Sequence, residues 1–402
     1  MVKNSAQDFP QRHRGNKSKQ INHSLNSTNF PEVNSLSLYF HIPFCTKKCD
    51  YCHFFVLPDK DPLKEQLMEG LQLEWELRSP ILQGKVFPTL YFGGGTPALF
   101  GPERIGQIIS WLPQDPAREI TLEANPENIT LPLMQAYAKA GINRVSIGLQ
   151  TLDNSLLLKL GRIHSAEKAE EAVWITHEAG IKNISVDLMY DLPGQTLNAW
   201  ETTLERTVKL PITHLSLYNL TFEPHTSFYK RQKLLLKQVP NPEESLTMVE
   251  MAVETLERNG LKRYEISAFS KQGFHSRHNT VYWTARPFLG LGPSAFSYLN
   301  GTRFRNVAHL GKYLTALREK QFPVDFDETL PLEARLRELF AVQLRLLAGV
   351  DLNSFEQQHG AVPFKNILQV MCTQGLLIQE NSTFRLSPKG ALFYDSVAVE
   401  LI

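Results

Sequence analysis

The stretch AGINRVSIGLQ, Ala140 to Gln150, returns 39 residues later as AGIKNISVDLM, Ala179 to Met189. Each copy opens on a glycine placed to stop a helix in the left-handed conformation, then enters an apolar run of strand length. A looser third copy, NGLKRYEISAF, starts at Asn259 and puts Gly260 where the others have Gly141 and Gly180. A spacing of 39 residues accommodates one helix, one strand and their loops, so the repeated unit is βα. Such repetition predicts a full or partial (β/α) barrel, with ligands at the C-terminal ends of its strands.

Around the repeat, short apolar runs alternate with longer amphipathic segments. The strands expected are 36–41, 89–92, 118–123, 143–149, 182–188 and 213–219. Asp61 followed by Pro62 predicts a helix start with Asp61 as its cap, and Leu63, Leu67, Leu71 and Trp75 form a stripe on the helix that follows. After about Glu328 the pattern changes to a long helix over 330–347, shorter helices, a hairpin turning at Asn381 and Ser382, and a last helix from Pro388. Helices followed by a small hairpin predict a winged-helix-like domain.

Composition narrows the function classes. A formal net charge of +1 gives no general attraction for nucleic acid, which favours reading that last domain as a packing or substrate-covering module. No apolar run approaches the ~18 residues of a transmembrane helix, so no transmembrane segment is expected. Residues 1–35 are polar and read as a flexible tail. Of four cysteines, three are clustered and Cys372 stands alone, which is no disulfide framework and predicts a reducing cytoplasmic location.

The clustered three, Cys45, Cys49 and Cys52, lie in FHIPFCTKKCDYCHFF, Phe40 to Phe55. Three thiolates on one loop suit one soft centre, either zinc or an iron-sulfur cluster. Zinc wants a fourth protein ligand, for which His41 and His53 are the nearby candidates, although His53 directly follows Cys52, where joint tetrahedral ligation is strained. A 4Fe-4S cluster held by three cysteines keeps one iron open to a small molecule. Polar residues recur at the predicted strand ends: Gly94, Gly95 and Thr96 in YFGGGTP, Glu123 in TLEANPE, Gln150 in SIGLQTL and Asp187 in ISVDLMY, with Arg162 in the LGRIHS loop. Their recurrence at one end of successive strands points to a shared site.

YFHIPFCTKKCDYC resembles the cluster loop of the radical S-adenosylmethionine (SAM) superfamily. From Leu38 to Tyr298 the chain resembles its coproporphyrinogen III oxidase-like family, through that loop and YFGGGTP, EANPE, RVSIGLQTLD, LGRIHS, DLMYDLPGQT, LYNLTFEPHTSFY and YEISAFS. The resemblance implies an α/β fold, a partial TIM-like (β/α) barrel of the radical SAM type followed by a C-terminal helical, winged-helix-like domain. It divides the chain into a tail (1–35), the barrel with a haem-motif extension (36–325) and the C-terminal domain (326–402). It implies a 4Fe-4S cluster on Cys45, Cys49 and Cys52. It implies SAM contacts at Tyr39, Tyr51, Gly94, Gly95, Thr96, Glu123, Gln150, Arg162 and Asp187, with a backbone contact at Thr221.

Two features separate the family's branches. The oxidases carry a further cysteine two residues past the third, a position held here by Phe54. RHNTVYW, Arg277 to Trp283, resembles the motif with which the haem-chaperone branch holds haem, which implies His278 as an axial iron ligand and Tyr282 and Trp283 as flat apolar surface. Read from the residues alone, His278 and these aromatics equally suit a hydrogen-bonded core. The function the resemblance implies is haem chaperoning, with haem or another tetrapyrrole and a haem-accepting apo-protein as partners. The alternative is oxidative decarboxylation of coproporphyrinogen III to protoporphyrinogen IX, with an electron donor such as flavodoxin or ferredoxin; whether SAM is cleaved stays open. Four positions depart from the family pattern: Asp191 stands where glycine is common, and Pro293, Ser294 and Phe296 replace a sequence more like Gly-Ala-Gly-Ala-His.

Overall fold

Strands β1 (Ser37–Ile42), β2 (Thr89–Gly94), β3 (Glu119–Ala124), β4 (Arg144–Gln150), β5 (Asn183–Tyr190) and β6 (His214–Asn219) run parallel and side by side in chain order. The computed structural model describes residues 34–402. The tail expected over 1–35 therefore lies, apart from Asn34 and Ser35, outside the described residues. Each strand falls within one or two residues of its expected place, and Gly141, Gly180 and Gly260 all have positive φ (110°, 96° and 80°).

These strands are buried on both faces, but the faces differ. Leu38, Phe40, Leu90, Phe92, Leu122, Val145, Ile147, Ile184, Val186 and Leu215 join the large apolar core beneath the helices. The alternate positions are polar: Tyr39, Tyr91, Glu123, Ser146, Asp187 and Ser216 turn to the barrel interior and line its cavity. Period-two alternation thus assigns one side to packing and the other to chemistry.

The third repeat behaves differently from the first two. Its strand, β7 (Lys262–Glu265), does not reach β6; the antiparallel β8 (Ala268–Ser270) lies between them. On the other flank, helix α2 (Arg277–Trp283) carries the RHNTVYW motif and leads into β9 (Phe288–Leu291), which pairs parallel with β1. β10 (Phe296–Leu299), β11 (Thr302–Asn306) and β12 (Val324–Thr329) extend that edge antiparallel. The sheet reads β12-β11-β10-β9-β1-β2-β3-β4-β5-β6-β8-β7, an open, partial barrel with an added wing.

Helix α1 (Asp61–Leu82) begins at Asp61 itself; the cap position is Lys60, which offers no side-chain hydrogen bond. The expected cap is therefore displaced by one residue, and Lys64 pairs with Asp59 at 2.6 Å. At the middle of α1, Glu74 is fully buried and accepts hydrogen bonds from Arg78 Nε (2.8 Å), Asn306 Nδ2 (2.8 Å), Tyr313 Oη (2.7 Å) and the Gly292 amide (2.9 Å). One carboxylate therefore ties α1 to β9–β11 and to helix α3 (Leu310–Arg318).

Two departures from the family pattern have a backbone meaning. Asp191 (φ 60°) and Ser294 (φ 67°) occupy the left-handed region where glycine is at ease. Asp191 fastens its turn by accepting hydrogen bonds from Asn219 Nδ2 and from Ser245 Oγ (2.6 Å).

The C-terminal residues form a second core around α4 (Leu332–Gln343), with a small antiparallel sheet of order β13-β15-β14 built from β13 (Val350–Asp351), β14 (Leu377–Glu380) and β15 (Thr383–Leu386). The expected hairpin turns at Asn381 (φ 55°). The long helix expected to reach Leu347 stops at Gln343, because the next residues pair with β7: Ile266 N–H donates to Arg345 O (3.2 Å) and Leu347 N–H to Tyr264 O (3.0 Å).

Replacing Glu74 by alanine strands the buried Arg78 charge and three further donors, so Glu74→Ala is expected to lose about 3–5 kcal/mol in urea unfolding. A loss below about 1 kcal/mol would contradict the role given to this carboxylate.

Candidate functional site

The cysteine loop leaves β1 and is fastened on several sides. Asp50 N–H donates to Leu160 O (3.2 Å), Phe228 N–H donates to Asp50 O (2.9 Å), and Arg231 pairs with the Asp50 carboxylate. Leu57 N–H donates to Pro43 O (2.6 Å), which draws the end of the loop back to its start. Next to it, the glycines of YFGGGTP are sterically required. A Cβ on Gly95 would lie 2.6 Å from Phe44 O, and one on Gly94 (φ 118°) would lie 2.6 Å from the His41 ring.

Under this loop opens a cavity of about 350 Å³ that runs along the polar faces of the strands. Cys45, Cys49, Cys52, Tyr39, Tyr51, Gly94, Gly95, Glu123, Gln150, Arg162, Asp187, Thr221 and His278 all line it. Thr96 stands just behind the wall, with its Oγ1 3.7 Å from Cys45 Sγ and accepting a hydrogen bond from Asn125 Nδ2 (3.0 Å). Arg162 reaches the loop, donating through Nη1 to Cys49 Sγ (3.5 Å) and through Nη2 to Asn125 Oδ1 (2.9 Å). Gln150 holds φ 67° at a register shift in β4, an uncommon conformation for a non-glycine residue.

The donor chemistry distinguishes the candidate metal centres. The three cysteines are free of disulfides, yet among the described residues no group of three or more His, Cys, Asp and Glu side chains encloses a single-ion site. His41 is spent: its Nε2–H donates to Phe55 O (3.2 Å), which leaves Nδ1 to accept from Tyr39 Oη (3.1 Å). Burial pushes its pKa down to about 4, so the ring stays neutral and locked in the wall. Three thiols of one loop lining one cavity, with His41 committed to Phe55 and Tyr39, fit an iron-sulfur cluster with one open iron better than tetrahedral zinc.

Glu123 and Asp187 face the same interior. Glu123 accepts from Tyr91 Oη (2.8 Å) and the Gly94 amide (3.0 Å), yet burial outweighs these bonds and raises its pKa to about 7. Burial likewise raises Asp187 to about 6, against hydrogen bonds from Ser216 and Ser146. Both carboxyls thus lie near neutrality and respond readily to a cation placed beside them.

Across the cavity, His278 is completely buried. Thr89 Oγ1 donates to Ser37 Oγ (2.8 Å), so His278 Nδ1–H donates to Thr89 (2.8 Å) and Nε2 accepts from Tyr282 Oη (2.8 Å). Burial first, and then the Arg144 charge, lowers the His278 pKa to about 3. Tyr282, Trp283, Phe288 and Phe296 add an aromatic wall.

The sequence reading missed Tyr91, Asn125, Ser146, Ser216 and Tyr218, which also line the cavity. Four of these sit on the polar phase of their strands, so the alternation carried the signal. Arg345, from the C-terminal residues, lines the cavity too and had no local signature.

Glu123 gives a pH test with a definite sign. Its folded value of about 7 lies above the unfolded ~4.3, so its contribution is whole below about pH 4.3 and is lost as pH rises through 7. The melting temperature of Glu123→Gln should therefore gain on the wild type as pH rises across that window. A difference that stays flat with pH would contradict the raised value.

Residues 39–207 match the Radical SAM superfamily, which implies a 4Fe-4S cluster and SAM, and residues 330–393 match the HemN C-terminal domain. The chain is 33% identical over 374 residues to the heme chaperone HemW of Bacillus subtilis, covering 90% of this chain and 97% of the relative. It is 32% identical over 388 residues to the heme chaperone HemW of Haemophilus influenzae, covering 91% and 98%. Among solved structures, coproporphyrinogen III oxidase (HemN) from Escherichia coli superposes with a TM-score of 0.80 over 91% of this chain and 90% of that one, at 22% identity, which is a likeness of fold. Among the described residues no helix is long and apolar enough to cross a membrane. By sequence match along nearly its whole length, the chain belongs to the HemW family of radical SAM proteins.

Proposed function

We propose that this protein is a haem chaperone that binds haem through His278 in the cavity that also carries its cluster and SAM residues, and transfers it to an apo-protein. In this reading Cys45, Cys49 and Cys52 hold the 4Fe-4S cluster. SAM lies against Tyr39, Tyr51, Gly94, Gly95, Thr96, Glu123, Gln150, Arg162, Asp187 and Thr221. The cluster supplies one-electron reduction of SAM, from a donor such as flavodoxin or ferredoxin where that chemistry is used. Residues 36–325 act as the barrel with its haem-motif extension, and 326–402 as the covering domain.

The observation that carries the haem reading is the state of His278. An iron ligand must be a neutral imidazole with one exposed lone pair, and its other nitrogen is commonly held by a hydrogen-bond acceptor that fixes the tautomer. Thr89 and Ser37 supply that acceptor chain, and burial keeps the ring unprotonated. The Nε2 lone pair is then engaged by the Tyr282 hydroxyl, beside a flat aromatic wall. Haem entry exchanges this hydrogen bond for a bond to iron. The Tyr282 hydroxyl acts as a cap on the ligand until then.

The oxidase alternative is not favoured. Phe54, where the oxidases carry a further cysteine, lines the cavity beside the cluster loop, and several relatives that match most of the chain are named heme chaperones. Anaerobically reconstituted protein given coproporphyrinogen III, SAM and a reductant should yield no protoporphyrinogen IX by mass spectrometry. Its formation at useful rates would overturn the chaperone reading.

Haem titration followed by absorption supplies the direct test. His278→Ala should lose the bound-haem spectrum, whereas Tyr282→Phe, which removes the cap, should retain it with affinity equal to or above the wild type. Unchanged binding in His278→Ala would remove that residue from the proposal. Cys49→Ala should lose iron and sulfide in metal analysis. Zinc without iron in the wild type would overturn the cluster assignment.

A further inference from the structure

We propose that Arg345 is a carboxylate-recognition residue at the aromatic end of the cavity, contributed by the C-terminal domain, and that it takes an acidic side arm of a flat apolar ligand. The inference rests on the haem reading and deepens it, since the macrocycle's carboxylate substituents are the chemistry such a subsite would read.

The cavity has two chemically different ends. Phe288 pairs with Ser37 at the start of β1, whereas Cys45 lies beyond the end of that strand. About eight residues of extended chain, on the order of 25 Å, separate the two levels. The cations Lys47, Lys48 and Arg162 stand with the cluster loop. Among the described lining residues, Arg345 is the cation that accompanies Tyr282, Trp283 and Phe288 instead. A ligand whose apolar body rests on that aromatic wall would meet this charge at its edge.

Arg345 is held in place before any ligand arrives. Its backbone carbonyl accepts from Ile266 N–H, and two residues later Leu347 N–H bonds Tyr264 O, so the segment is stitched to β7. The guanidinium carbon lies 4.2 Å from the centroid of the Trp283 ring and 5.2 Å from that of Tyr394. The Trp283 ring lies against the guanidinium, whose N–H groups go to polar partners, the Tyr394 hydroxyl among them. Nη2 donates to Glu265 Oε2 and Ser267 Oγ, each at 3.3 Å, and both residues line the cavity. These bonds are longer than the ~2.7–2.9 Å of a close charge-assisted pair, which suits an ion pair that can admit a second carboxylate. Trp283 Nε1–H is buried with no hydrogen-bond partner among the described residues, and offers a donor next to the same charge.

The pairing with β7 that ends the C-terminal helix at Gln343 has a consequence for the site. The break delivers Arg345 to the wall at the one motif tryptophan it stacks upon, so the C-terminal domain takes part in the ligand site as well as covering it.

Paired titrations with haem and with haem dimethyl ester, whose carboxylates are blocked, test the subsite. The wild type should prefer haem by roughly tenfold or more, the scale of one charge-assisted hydrogen bond. Arg345→Met should bring the two affinities together while ester binding and the His278-dependent absorption spectrum persist. Arg345→Lys should fall between. If Arg345→Met fails to fold, Arg345→Met combined with Glu265→Gln removes both buried charges and takes its place. A preference for haem that survives the substitution, or equal loss of both ligands, would overturn the subsite alone. Failure of the wild type to bind either ligand would overturn the haem reading and the subsite with it.

Discussion

Strands β1 to β6 are buried on both faces while only one face is apolar, and the rest of the molecule answers that constraint. Each polar side chain turned inward must find a partner or face a ligand, because an unpaired buried polar group costs about 1–3 kcal/mol. Much of the interior meets the demand by pairing side chains across neighbouring strands and to α2. Ser37, Thr89, His278 and Tyr282 form one chain of bonds, and Ser185, His214 and Tyr264 form another.

The two ends of that cavity are built by different means. At the cluster end, backbone restraints dominate: glycines allow close approach, and the loop is tied down through Asp50, Leu57 and Pro43. At the aromatic end, side chains from α2, β9 and the C-terminal domain meet, and burial keeps His278 neutral at every physiological pH. Glu123 and Asp187 lie between, with pKa values near neutrality. On the haem proposal, a soft metal centre and a flat macrocycle share one interior without competing for the same side chains.

Most of the barrel was legible because its signals are local. The repeated glycines mark helix ends, and the strand-end residues converge on one cavity as their spacing implies. What escaped the sequence was set by tertiary pairing. The helix expected to reach Leu347 ends at Gln343 because β7 captures Arg345 and Leu347, and no periodicity could signal that. The third repeat kept its glycine but lost its place beside β6 to an inserted strand. Tyr91, Ser146 and Ser216 were overlooked although strand alternation encodes them. Asp191 and Ser294 were visible as departures, but their meaning lay in a positive φ that sequence does not display.

The central claim is that one barrel interior presents a neutral imidazole, His278, as the iron ligand of haem. Resonance Raman spectra of the ferrous haem complex, prepared with ¹⁵N-labelled histidine, test it most directly. The account predicts an iron–nitrogen stretch that shifts with the label in the wild type and is absent from His278→Ala. A label-sensitive stretch that persists in His278→Ala, or its absence from the wild-type complex, would contradict it.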